Sequence, residues 1–187
     1  MSFYYNFPAV RGFQAKTEYY ICMIPCGLLS KLFAFEANNI MPEYRAQRKV
    51  NYTRIPELKK YILDNRDSYV FSALVASIDG NFNFNSVNDS DLGYLNVDMN
   101  ATFLINDGQH RKAALEAAIE EDESLADETI SVVFFKDKGL KKSQQIFTDL
   151  NKHAVITSKS LNTLYNSKDP IAVLSTNILD KIVFFKI

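Results

Sequence analysis

The chain has 187 residues, 47% of them hydrophobic and 23% charged, with a net charge of -1 at pH 7. That is enough for one domain with a real core and room for a small appendage. The near-neutral balance excludes a uniformly basic protein that coats nucleic acid, though not a local basic face. With no cysteine beyond Cys22 and Cys26 and only two histidines in the chain, neither a zinc nor an iron–sulfur site is expected.

The N-terminus carries no basic region or small-residue cleavage site, and no stretch approaches a membrane span, so a cytoplasmic protein with no membrane partner is expected. Residues 19–26 read as an early strand bounded by Gly27, with Cys22 and Cys26 as reduced core thiols. Residues 28–35 have the apolar spacing of a short helix. Residues 43–50 are basic, and 55–63 form an amphipathic helix with Pro56 in its first turn and Leu58, Tyr61 and Ile62 on one face. Residues 69–78, rich in β-branched and aromatic side chains, read as a strand running into the turn at Asp79 and Gly80. Phe82 and Phe84 alternate with asparagines, which predicts the returning strand of a hairpin; 85–100 reads as an exposed polar loop.

An apolar run at 101–105 leads into Asp107-Gly108-Gln109-His110-Arg111 and then an alanine-rich helix at 112–121. Residues 129–135 read as a buried strand and 140–150 as an amphipathic helix. Further helices are expected from Ser158 or Ser160, and near Asp169-Pro170, where Asp suits the N-cap and Pro the first helical position. The apolar end at 181–187 is expected to be covered by a continuation or by a partner. Strands and helices alternate irregularly. The fold expected is therefore a small mixed α/β (α+β) sheet followed by a helical C-terminal part, not a doubly wound parallel sheet.

Three constellations carry chemistry. A strand that feeds directly into a helix exposes the first free N–H groups, and these attract anions together with the helix dipole. His110 and Arg111 add side-chain donors, so 107–111 reads as a phosphate site. The bland alternative is a capped helix with Gly108 in a tight turn and Arg111 paired with an acid. The second constellation is Arg45, Arg48, Lys49 and Arg54, followed by Lys59 and Lys60. It is either a solvated face or a patch contacting DNA phosphates. The third is Asn151, Lys152 and His153 after a helix carrying Lys141 and Lys142. No glycine-rich nucleotide loop, nucleophile elbow or assignable catalytic triad is present.

Four stretches together resemble the DGQHR-domain family, and within it the DndB group of DNA phosphorothioation systems. They are 44–50, 69–73, 103–114, and 147–154 with Ser158-Lys159-Ser160. The resemblance implies a domain at 1–157 similar to the ParB and sulfiredoxin superfamily, with a helical region beginning at 158–187. It also implies a DNA-binding regulator of the modification operon. In that superfamily a glycine-containing turn ending in Arg holds nucleotide phosphate. The resemblance therefore assigns phosphate to Gly108, Gln109, His110 and Arg111, with Asn151 and Lys152 completing the site by analogy. ATP or CTP with Mg²⁺ is the implied cofactor. DNA contacts are expected from Arg45, Arg48, Lys49, Arg54, Lys141, Lys142 and His153. Position 109 is Gln where the sulfiredoxin turn has Cys, which removes thiol chemistry. A hydrolysing or DNA-nicking enzyme with Asp107 as catalytic base or metal ligand is the alternative reading. A structural partner of other DNA sulfur-modification proteins, or a homo-oligomer, is a third.

Overall fold

A computed structural model of the chain describes residues 3–34, 51–136, 139–152 and 169–181. Two compact units divide it, residues 1–151 and 152–187. The first unit is built on seven strands: β1 (Tyr4–Gln14), β2 (Thr17–Pro25), β3 (Leu74–Asp79), β4 (Phe82–Ser86), β5 (Leu92–Asp98), β6 (Thr102–Asp107) and β7 (Thr129–Lys136). The helices are α1 (Leu29–Leu32), α2 (Ile55–Asp64), α3 (Gln109–Ile119) and α4 (Leu140–Lys152). In the second unit α5 spans Pro170–Lys181, and Asp169 caps it by accepting the Ile171 N–H at 2.9 Å, as its sequence predicts. The helix expected from Ser158 or Ser160 lies outside the described residues.

The sheet order is β4-β5-β1-β2-β7-β3-β6. Every neighbouring pair is antiparallel except β3 and β7, which are parallel. The architecture is thus mixed α/β, as the irregular alternation predicts. The hairpin expected between β3 and β4 does not form: β4 pairs with β5, and β3 with β6 and β7. The polar stretch expected to be a loop contains β5, a strand whose Leu95 and Val97 are fully buried. Leu95-Asn96-Val97-Asp98 does alternate with period 2, but the run is brief and set in a polar stretch.

Connection lengths force this sheet to curl. Only Gly80 and Asn81 separate β3 from β4, and only residues 99–101 separate β5 from β6. Fully extended links of this length reach ~11 and ~14 Å. In a flat sheet each pair of strands, five positions apart, would lie ~24 Å apart. The sheet therefore rolls into a half-open barrel. Aromatic rings meet across its interior: Tyr5 and Phe103 at 6.0 Å, Phe7 and Phe134 at 6.4 Å, Phe103 and Phe134 at 5.6 Å. Phe33, just after α1, joins them at 6.1 Å from Phe103.

Pro8 lies inside β1, which has neighbours on both sides. The β1–β2 ladder begins at Ala9, so Pro8 pairs only with Tyr94 of β5 and owes no N–H to β2. Cys22 and Cys26 are free, buried thiols, and burial pushes them up to about 12 and about 11. In α2, Ile62 is buried and Leu58 packs against the core, as the amphipathic spacing predicts. The strand expected from residue 69 begins only at Leu74. Val70 instead donates its N–H to the Tyr61 hydroxyl, and the Tyr69 hydroxyl donates to Glu128.

Candidate functional site

The end of β6 and the start of α3 form one wall of a cleft of about 410 Å³. Asp107, Gly108, Gln109, His110 and Arg111 line that wall, and Arg54, Leu58, Val70, Phe71 and Ser72 face them. The helix starts earlier than its alanine-rich run suggests, so His110 and Arg111 already lie in its first turn. No side chain caps it. Gly108 holds the N-cap at φ 102°, and an added Cβ would lie 2.4 Å from Leu74 Cδ2 and 2.9 Å from Arg111 Nη2. Glycine is therefore required twice, by the left-handed backbone and by the close approach.

Arg111 is tied into the protein. Its Nη2 donates to Asp107 Oδ2 at 2.7 Å and to Ala73 O at 3.2 Å, and its Nη1 donates to Ser72 Oγ at 2.6 Å. The acid that Arg111 pairs with is thus in its own turn. Its Nε is buried and has no hydrogen-bond partner. Gln109 is buried, with its amide donating back to Ile105 O at 3.4 Å. His110 Nε2 accepts the Asn51 backbone N–H at 2.9 Å, which leaves that nitrogen unprotonated. This bond pins the entry to α2 against α3 and brings Arg54 into the cleft.

Arg54, expected among the DNA contacts, is brought by the fold to the Asp107–Arg111 turn. It sits at the end of the basic segment, yet it lines the same cleft as the turn. Ser72, 39 positions from Arg111, lies in the resemblance stretch 69–73 but carries no site expectation of its own. Lys59 and Lys60, expected to extend the basic patch, pair with Glu121 and Asp64. Their charge is locally cancelled.

The sequence profile of the DndB family, described as DNA-sulfur modification-associated, matches residues 7–187. The chain belongs to the DndB family. No curated protein and no solved structure matches it. The span matched by the DndB profile takes in the cleft, the basic segment, α4 and α5. Of the remaining expected site residues, Lys141 and Lys152 are exposed on α4, and Lys142 and Asn151 belong to the same helix. Arg45, Arg48, Lys49 and His153 lie outside the described residues. Among the described residues no helix is long and apolar enough to cross a membrane.

Proposed function

We propose that the chain is a DNA-binding regulatory protein of a DNA phosphorothioation system, and that its cleft binds a nucleotide phosphate which tunes DNA affinity. The observation that carries this reading is Arg54, where the basic segment ends inside the cleft of the Asp107–Arg111 turn. An anion placed there would meet Arg54, His110 and the uncapped start of α3, beside the Arg111 guanidinium. These groups fit a phosphate. ATP or CTP would supply one, with Mg²⁺ on its oxygens. Arg45, Arg48 and Lys49 would contact DNA phosphates, which gives salt-dependent affinity with little sequence reading. The ParB-like lineage, the contribution of Asn151, Lys152, Lys141, Lys142 and His153, and any homo-oligomer belong to the same proposal.

The regulatory reading is favoured over an NTP-hydrolysing or DNA-nicking enzyme by the state of Asp107. Its carboxylate already accepts from Arg111 and would have to leave that pair to bind Mg²⁺ or to act as a base. The test is duplex DNA binding across a salt series, with and without ATP or CTP. Arg48→Ala is expected to weaken binding on every sequence and to reduce the salt slope by about 0.9. Arg54→Ala is expected to abolish the nucleotide effect and to keep most of the DNA affinity. If both variants behave as wild type, the regulatory reading fails. Metal-dependent turnover of ATP or nicking of a plasmid, lost in Asp107→Ala, would establish the enzyme instead.

A further inference from the structure

A second hollow, of about 440 Å³, opens where the β1–β2 hairpin, the start of β4 and the end of β7 come together. Phe13, Lys16, Thr17, Glu18, Tyr20, Phe82, Asn83 and Lys136 line it. It lies away from the first cleft: the cleft takes Ser72, just before β3, whereas Lys136 pairs with Ile78 near the far end of β3. Three rings face the hollow. Tyr20 and Phe82 meet edge-to-face at 5.8 Å in its floor, and Phe13 stands at its lip, 64% exposed. A single exposed phenylalanine is ordinary on a protein surface. The charges around this one are not.

Lys16 is held at the hairpin tip with φ 61°, and Lys136 ends β7. Among the described residues neither has an ion-pair partner. The one acid in the hollow, Glu18, lies 3.7 Å from Arg11, and its charge helps raise the Tyr20 pKa after burial. Arg11 in turn is held by Asp91 at 2.9 Å and stacks over Phe13 and Phe84 at 5.6 and 5.1 Å. Arg11 is shared between Glu18 and Asp91, and two lysines against the single acid Glu18 leave the hollow net positive. Aromatic faces flanked by unpaired cations suit one chemical class, a base with a phosphate on each side. A duplex offers base edges in its grooves and keeps its base faces stacked, so only an unpaired nucleotide can lay a ring on Phe13.

We infer that this hollow is a binding site for an unpaired nucleotide of single-stranded nucleic acid, with the base on Phe13 and its phosphates on Lys16 and Lys136. The site is independent of the nucleotide proposed for the other cleft. The experiment measures fluorescence anisotropy of labelled oligothymidylate, oligouridylate and a matched duplex over a salt series, using the whole chain. Wild type is expected to bind at least one single strand. Phe13→Ala is expected to weaken that binding roughly tenfold or more and to leave duplex binding unchanged. Phe13→Tyr, which keeps the ring, is expected to bind as wild type. Lys16→Ala with Lys136→Ala is expected to reduce the single-strand salt slope by about 1.4, or ~0.7 for each phosphate contact. The two oligonucleotides decide between DNA and RNA as the source. The site is refuted if neither strand binds, if Phe13→Ala binds as wild type, or if Phe13→Tyr loses as much as Phe13→Ala. An unchanged slope in the double variant also refutes it. Because Phe13 and Lys16 are surface groups, circular dichroism of each variant is expected to match wild type. Arg54→Ala is expected to leave single-strand binding intact, so failure of the cleft reading and failure of this one are separable.

Discussion

Arg66 and Arg111 are both roughly three-quarters covered, and both hold distant segments together, but their surroundings differ in sign. Arg66 donates Nε to Asp122 at 2.8 Å, Nη1 to Glu128 at 2.7 Å and Nη2 to Ser124 at 3.1 Å. Glu128 also accepts the Tyr69 hydroxyl. Two acids face one guanidinium, and each of its nitrogens has an acceptor. Hydrogen bonding to Glu128 raises the Arg66 pKa further, so it stays charged. Arg111 meets one acid, one hydroxyl and one carbonyl, keeps a buried Nε without a partner, and shares its cleft with Arg54. A saturated arginine is a fastener. An arginine short of acceptors beside a second cation leaves the protein better suited to receive an anion.

Substitutions sharpen this contrast. The largest loss of stability is expected for Arg66→Ala, which strips Glu128 and Asp122 of their shared cation and frees the segment after α2; the melting temperature measures it. Gly108→Ala comes next, at about 2–4 kcal/mol, from the left-handed backbone and the contact with Leu74; urea unfolding reads it directly. Arg111→Ala is expected to cost about 1–3 kcal/mol, since fewer charged partners are stranded. Asp107→Asn keeps an acceptor for Arg111 and removes the neutralising charge. It is expected to tighten inorganic phosphate binding about fivefold, measured by calorimetry. Weaker binding in that variant would mean that the carboxylate helps hold the ligand, through a metal.

The smallest effects concern pH. Hydrogen bonds from Ser124, with Arg66 nearby, lower the Asp122 pKa. A carboxyl whose folded value lies below its unfolded one stabilises the protein above the ordinary carboxylate range, and that contribution is lost as pH falls through the folded value. In Arg66→Ala the contribution is expected to be smaller and its loss to be complete at a higher pH. Burial acts oppositely on Cys22 and Cys26, whose raised values contribute stability below the ordinary thiol value of 9.0. That stability declines as pH rises from there toward about 12, and Tyr20 and Tyr69 move in the same direction. Native Cys22 and Cys26 are expected to resist alkylation at neutral pH.

What the sequence disclosed followed from how local the interaction is. The buried strand β7, the helix α2 and the Asp169 cap depend on residues a few positions apart, and all three were readable. The turn at 107–111 stands out in the sequence as a candidate anion site because its permissive glycine and donors are consecutive. Its working geometry does not. Arg111 closes on Ser72, and Asn51 reaches His110 across 59 positions. The same limit explains β5, whose inward residues Gly93, Leu95 and Val97 gain meaning only beside β1. The missed hairpin is another case: Gly80 looked like a reversal between neighbours, whereas it turns the chain from one rim of the sheet to the other.

That crossing has a consequence for synthesis on the ribosome. β1 finds one of its two neighbours in β2 almost at once, through the Ala15-Lys16 turn. Its other neighbour is β5, where Tyr4 pairs with Asp98 and the Asn6 side chain bonds Asn96, 90 residues later. At translation speeds of ~5–20 residues per second the nascent hairpin waits several seconds with one flank of β1 unpaired. During that interval Tyr5, Phe7 and Ala9, which the finished fold covers, face solvent on a strand open to any passing edge. Pulse-labelled chains arrested before residue 92 are therefore expected to be captured by chaperones, and chains extended well beyond β7 to be released.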